Sequence, residues 1–114
     1  MTVTIAQVRA MALALPATTE VVAWESDLTW RVNEKIFVIG GLESVRITVR
    51  TSKEEQAELT AADPETYRIA PYVGRYGWTS IELAGVQADE LGELIVEAWR
   101  RTAPKRLVAR YDAG

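Results

Sequence analysis

The stretch Leu28-Thr29-Trp30-Arg31-Val32-Asn33-Glu34-Lys35-Ile36-Phe37-Val38-Ile39 decides the fold. Leu28, Trp30 and Val32 alternate with Thr29 and Arg31, the period of a strand with one buried face. Asn33-Glu34 then makes a tight connection into the apolar run that ends at Ile39, so the whole stretch reads as a β-hairpin. Gly40-Gly41 breaks the second strand. Beyond it Val45, Ile47 and Val49 alternate with Arg46, Thr48 and Arg50, giving a third strand and an antiparallel meander.

Helices bracket this meander. On its N-terminal side Thr4 with Gln7 forms a capping box, and Ile5, Val8, Met11, Ala12 and Leu15 repeat at helical spacing up to Pro16. Ala17-Thr18-Thr19-Glu20 reads as polar loop; Val21-Val22-Ala23-Trp24 fits either a short extended segment or a packed loop. On the C-terminal side Ser52 with Glu55 opens a second helix with a thin apolar face, closed by Asp63-Pro64. Tyr67–Ala70 and Trp78–Leu83 read as two further strands around the Pro- and Gly-punctuated loop Pro71–Gly77. A last helix, capped by Asp89, buries Leu91, Leu94, Ile95, Ala98 and Trp99. Pro104 interrupts it, and Leu107, Val108 and Tyr111 continue as a short basic helix or frayed tail. The expected fold is α+β, a two-layer sandwich of order α-β3-α-β2-α with one mainly antiparallel five-stranded sheet. It forms a single domain over residues 1–114, with one sheet face uncovered.

Composition narrows the chemistry. The chain has no Cys and no His, which removes disulfides, thiolate nucleophiles, Cys/His zinc sites and imidazole acid/base catalysis. Ser26, Ser44, Ser52 and Ser80 have no His partner, no Gly-x-Ser-x-Gly elbow occurs, and Gly40-Gly41 is not a phosphate loop. The expectation is a non-enzyme with no cofactor and no metal. The opening Met1-Thr2-Val3 lacks the cationic start of a secretory signal, and no apolar run reaches spanning length, which predicts a cytoplasmic protein with no membrane partner. The net charge is −3, so nucleic acid would be repelled by the molecule as a whole unless the positive charges are gathered on one surface.

Four pieces together carry a family likeness: Leu15-Pro16 ending a first helix, Trp24 ahead of the hairpin, the segment Ala70-Pro71-Tyr72-Val73-Gly74-Arg75-Tyr76-Gly77-Trp78, and the closing helix Leu91–Trp99. In these pieces and in their order, from about Ala6 to Ala109, the chain resembles the MmcQ/YjbR-like family. The resemblance implies an α-β3-α-β2-α fold similar to type III secretion chaperones. It also implies the DNA-binding, double-wing role ascribed to the family, and it brings no catalytic or ligand residues with it. Where many members carry a basic or His-bearing loop before the last strand's Trp, this chain has Arg75-Tyr76-Gly77.

The candidate surfaces follow from alternation. If Val45, Ile47 and Val49 face inward, Arg46, Thr48 and Arg50 face outward, and Thr29 and Arg31 do so on the first strand. Arg31, Arg46, Arg50 and Arg75 are the candidate nucleic-acid contacts, since the guanidinium fork fits phosphate and an aromatic such as Trp78 can stack a base. The competing reading pairs these arginines with Glu82 and Glu34 on a solvated face. The alternative to nucleic acid is a protein-interaction or chaperone-like module that meets a protein partner or a second copy of the chain through the open sheet face or the 71–78 loop, with Tyr72, Tyr76 and Trp78 as the candidate contacts, or else as anchors of their own loop. The basic segment from Arg100 to Arg110 suits the negative end of the last helix, with phosphate binding as the second reading. Glu25 with Asp27 reads as ordinary surface acids rather than a cation site.

Overall fold

The computed structural model describes residues 2–24 and 27–114. Helix α1 (Ile5–Leu13) starts with the expected capping box, in which the Thr4 hydroxyl accepts from Gln7 N and the Gln7 side chain accepts from Thr4 N. Strands β1 (Thr18–Ala23), β2 (Asp27–Val32), β3 (Lys35–Gly41) and β4 (Arg46–Arg50) follow. Helix α2 (Lys53–Ala62), strand β5 (Tyr67–Ile69), a 3-10 turn (Gly74–Tyr76) and strand β6 (Trp78–Glu82) precede helices α3 (Ala88–Thr102) and α4 (Lys105–Asp112). The sheet order is β1-β2-β3-β4-β6-β5, and every neighbouring pair is antiparallel.

The sheet therefore has six strands, and the expected five-stranded α-β3-α-β2-α order is corrected by β1. Thr18-Thr19-Glu20 is not loop but the first half of an edge strand paired along its length with β2. Polar residues suit an edge that faces solvent on one side. Glu20 is also held from the covered side, where it accepts from Arg9 of α1 at 2.6 and 2.7 Å and from Trp30 Nε1 at 3.0 Å. The hairpin is as expected. Its connection places Asn33 and Glu34 at φ 52° and 64°, the left-handed pair of a type I′ turn. A bulge opposite Trp30 and Arg31 sends both Phe37 and Val38 into the core. Val45, expected to face inward, is exposed: it lies just ahead of β4, whose ladder with β6 begins at Arg46, so the strand alternation does not extend to it.

The core lies between one sheet face and the helices. Trp30, Phe37, Val38, Ile47, Val49 and Ile81 pack with Val8 and Ala12 of α1 and with Leu91, Ile95, Ala98 and Trp99 of α3. Asp89 sits inside the first turn of α3; the N-cap is Gln87. The thin apolar face of α2 has a physical counterpart: its buried residue is Gln56, whose Nε2 donates to Gly74 O at 2.8 Å and Trp78 O at 2.7 Å. A polar clamp there does what an apolar stripe does elsewhere. The residues after Pro104 form a separate helix, with the Tyr111 ring tilted 57° against that of Trp99, centroids 5.1 Å apart. No helix among the described residues is long and apolar enough to cross a membrane.

Candidate nucleic-acid interface

The face of the sheet turned away from the helices is built around one ladder. Val21, Thr29, Ile39, Thr48, Ser80 and Arg68 stand opposite one another across all six strands. Residues two positions away along each strand share this face. On one flank of the ladder they are Arg31, Arg50 and Trp78; on the other, Asp27, Arg46 and Glu82. Among the described residues this face thus carries four arginine positions against two carboxylates, while the chain as a whole is acidic; the guanidinium of Arg50 leaves the face for the helix layer.

The arginines differ in how they are engaged. Arg46 is directly opposite Glu82 and grips it, Nε at 2.8 Å and Nη2 at 2.7 Å from Oε1. The pairing weighed in the sequence is therefore present for Glu82, and Arg46 is partly neutralised. Arg50 reaches Thr102 Oγ1 at the end of α3, at 3.3 Å. Arg31 donates from Nε to Thr29 Oγ1 at 3.0 Å, and that hydroxyl donates in turn to Val21 O at 2.7 Å. Thr29 is fully buried under this arrangement, although no helix covers it. The relay fixes the guanidinium over the sheet. Among the described residues, neither Arg31 nor Arg68 has a carboxylate within ion-pair distance.

Arg75 does not join this group. Its turn packs against Ile69, which shares the covered face with Tyr67 and Thr79, and is tied to Gln56 of α2. The Arg75 guanidinium lies 4.9 Å over the Tyr76 ring. Tyr72 and Tyr76 are exposed on the same loop, whereas Trp78 is half-buried on the open face opposite Arg50. The three aromatics read together from the sequence thus occupy two surfaces. Arg68, not singled out in the sequence, belongs to the open face. Its signal was the alternation of Tyr67-Arg68-Ile69, legible only once β5 is known to pair with β6. Glu25 of the Glu25/Asp27 pair lies outside the described residues.

A second set of exposed apolar side chains, Val22, Trp24, Leu42 and Val45, gathers where β1 ends, β3 ends and β4 begins. Loop Pro71–Gly77 is held to the sheet by Gly77. Its φ is 99°, its carbonyl accepts from Thr51 N at 3.1 Å and from the Thr51 hydroxyl, and a Cβ added to it would lie 2.5 Å from the Thr51 carbonyl oxygen.

Residues 13–101 match the YjbR family. Uncharacterised proteins of Mycobacterium tuberculosis and Mycobacterium bovis are 37% identical over 68 residues, covering 59% of this chain and 53% of theirs. The chain spans about half the length of these curated relatives. Its fold is similar to that of a Deinococcus radiodurans protein with a DUF419 domain, known from a crystal structure. The TM-score is 0.77 at 21% identity, over 84% of this chain and 75% of that one.

Proposed function

The chain belongs to the YjbR family, and we propose that in this member the uncovered sheet face binds nucleic acid, single-stranded DNA above all, without catalysing a reaction on it. The observation that carries this reading is the segregation of charge. A chain of net charge −3 places Arg31, Arg46 and Arg68 on one face, with Arg50 at its border reaching α3, and among the described residues Asp27 and Glu82 are the carboxylates beside them. The face of a six-stranded sheet is too broad to enter the major groove as a helix or a two-stranded ribbon does, but it can lay out a single strand. Arg31 and Arg68 would take phosphates, the Thr48 and Ser80 hydroxyls would donate to phosphate or sugar, and Trp78 would offer a ring to a base.

Fluorescence anisotropy with a labelled thymidine oligonucleotide tests it at low salt, with the duplex as comparison. Binding of the single strand is expected, with log K falling against log salt at about −0.7 per phosphate contacted. Arg31→Glu with Arg68→Glu should weaken it at least tenfold. Absence of binding at high micromolar protein, or binding indifferent to that double change, overturns the reading.

A second reading rests on a separate observation. The apolar side chains of Val22, Trp24, Leu42 and Val45 at one end of the sheet suit contact with a protein partner or a second copy. Light scattering of the wild type against Trp24→Ser tests the second copy: a dimer lost on substitution supports it, and a monomer throughout removes it.

A further inference from the structure

On the far side of α3 from the sheet, a groove of about 670 Å³ runs between α1, α3 and α4. Met11, Leu15, Val96 and Tyr111 supply its apolar walls. Asp89, Glu93 and Glu97 stand along it on α3, one to two turns apart. Glu97 is paired with Arg100 at 3.2 Å, and Arg100 also lies 5.7 Å over the Tyr111 ring. Asp89 and Glu93 have no ion-pair partner among the described residues. The C-terminal end of α1, which forms one wall, has no basic side chain in its last turn, so its carbonyl dipoles add to the negative potential.

Gly92 lies in the interior of α3, where glycine is the least favourable residue after proline. A Cβ built on it meets no atom within 4 Å. No packing contact or backbone angle therefore requires glycine at this position, and its missing side chain leaves the groove open.

We propose that this groove is a binding site for a small organic cation, an amine or guanidine carried on an aromatic or alkyl body. Its volume is that of a small-molecule site, its walls bury the apolar part, and Glu93 with Asp89 meets the positive charge. The site is on the opposite layer from the sheet face and stands or falls independently of nucleic-acid binding.

Dansylcadaverine, a fluorescent aromatic amine, is the probe, with its neutral N-acetylated form and the anionic 1-anilinonaphthalene-8-sulfonate beside it. The amine should bind at least tenfold more tightly than either. Glu93→Gln should weaken it about tenfold, and Gly92→Leu should abolish it while far-UV circular dichroism stays unchanged. If Gly92→Leu does not fold, Glu93→Lys decides the matter, since charge reversal must also abolish binding. Equal binding of the acetylated form, or retention of binding in the folded Gly92→Leu or Glu93→Lys variant, overturns the proposal. A basic amphipathic peptide that displaces the amine at lower concentration would assign the groove to a macromolecular partner and overturn it as well.

Discussion

Two glycine-to-alanine substitutions should move stability in opposite directions, and the structure sets both magnitudes. Gly77 has φ 99°, and an added Cβ would lie 2.5 Å from the Thr51 carbonyl oxygen. Holding alanine in the left-handed region costs about 1 kcal/mol. The carbonyl it strikes is backbone, fixed where β4 passes into the Ser52 cap of α2, so relief of the clash must open the Thr51–Gly77 hydrogen bonds. Those add about 1 kcal/mol each, for a total near 3 kcal/mol. Gly92→Ala meets no atom within 4 Å and gains about 1 kcal/mol of helix propensity. Urea titrations followed by tryptophan fluorescence and circular dichroism read both variants. For a slope of about 1.5 kcal/mol per molar, the midpoint should fall by about 2 M for Gly77→Ala and rise by about 0.7 M for Gly92→Ala. A neutral Gly77→Ala would refute the reading of the loop as pinned through this residue. A destabilising Gly92→Ala would mean that the open space beside α3 is not what the geometry indicates.

Other outcomes follow from single contacts. Glu34 occupies a left-handed turn position at φ 64°, so Glu34→Gly should stabilise the hairpin by about 1 kcal/mol, read as a higher urea midpoint at unchanged slope. The Glu20 carboxyl is held below its ordinary value of 4.5 by the Arg9 guanidinium, with Trp30 Nε1 assisting against the opposing effect of burial. A lowered folded-state pKa means this contribution is present above the unfolded value and lost as pH falls through the folded one. Stability of the wild type should therefore drop more steeply below about pH 4.5 than that of Glu20→Gln. Tyr67 is buried and donates to Glu90, and burial first, then this carboxylate, raises its pKa above the ordinary tyrosine value. Tyr67→Phe should cost about 1 kcal/mol at neutral pH, and the wild type's advantage should shrink as pH rises above the ordinary tyrosine value, where the phenol of the unfolded chain ionises while the folded one still holds its proton.

The sequence made the central hairpin plain because Leu28, Trp30 and Val32 alternate without interruption and Asn33 accepts a left-handed turn. It hid β1 because an edge strand needs little apolar patterning: Thr18, Thr19 and Glu20 are stabilised by pairing with β2 and by Arg9 from another element. The outward arginines of β2 and β4 were legible from period two alone. Strand order is not legible that way, so alternation alone leaves Arg68 off the face, to which the β5–β6 pairing brings it, and puts on it Arg75, whose turn is tied to α2 on the covered side. The Arg46–Glu82 pair was anticipated as a competing reading, but it links residues 36 positions apart and depends on β6 lying next to β4. The groove beside α3 left only Gly92 as a sign in the chain, a helix-interior glycine whose reason lies in neighbouring helices.

Amide chemical-shift mapping with a thymidine oligonucleotide at low salt puts the nucleic-acid reading to its most direct test. The account predicts perturbations at Thr29, Arg31, Thr48, Arg68 and Ser80, fading as salt rises, with Gly92 and the basic helix Lys105–Asp112 unmoved. Shifts concentrated on Lys105, Arg106 and Arg110 instead, or none at all, would contradict it.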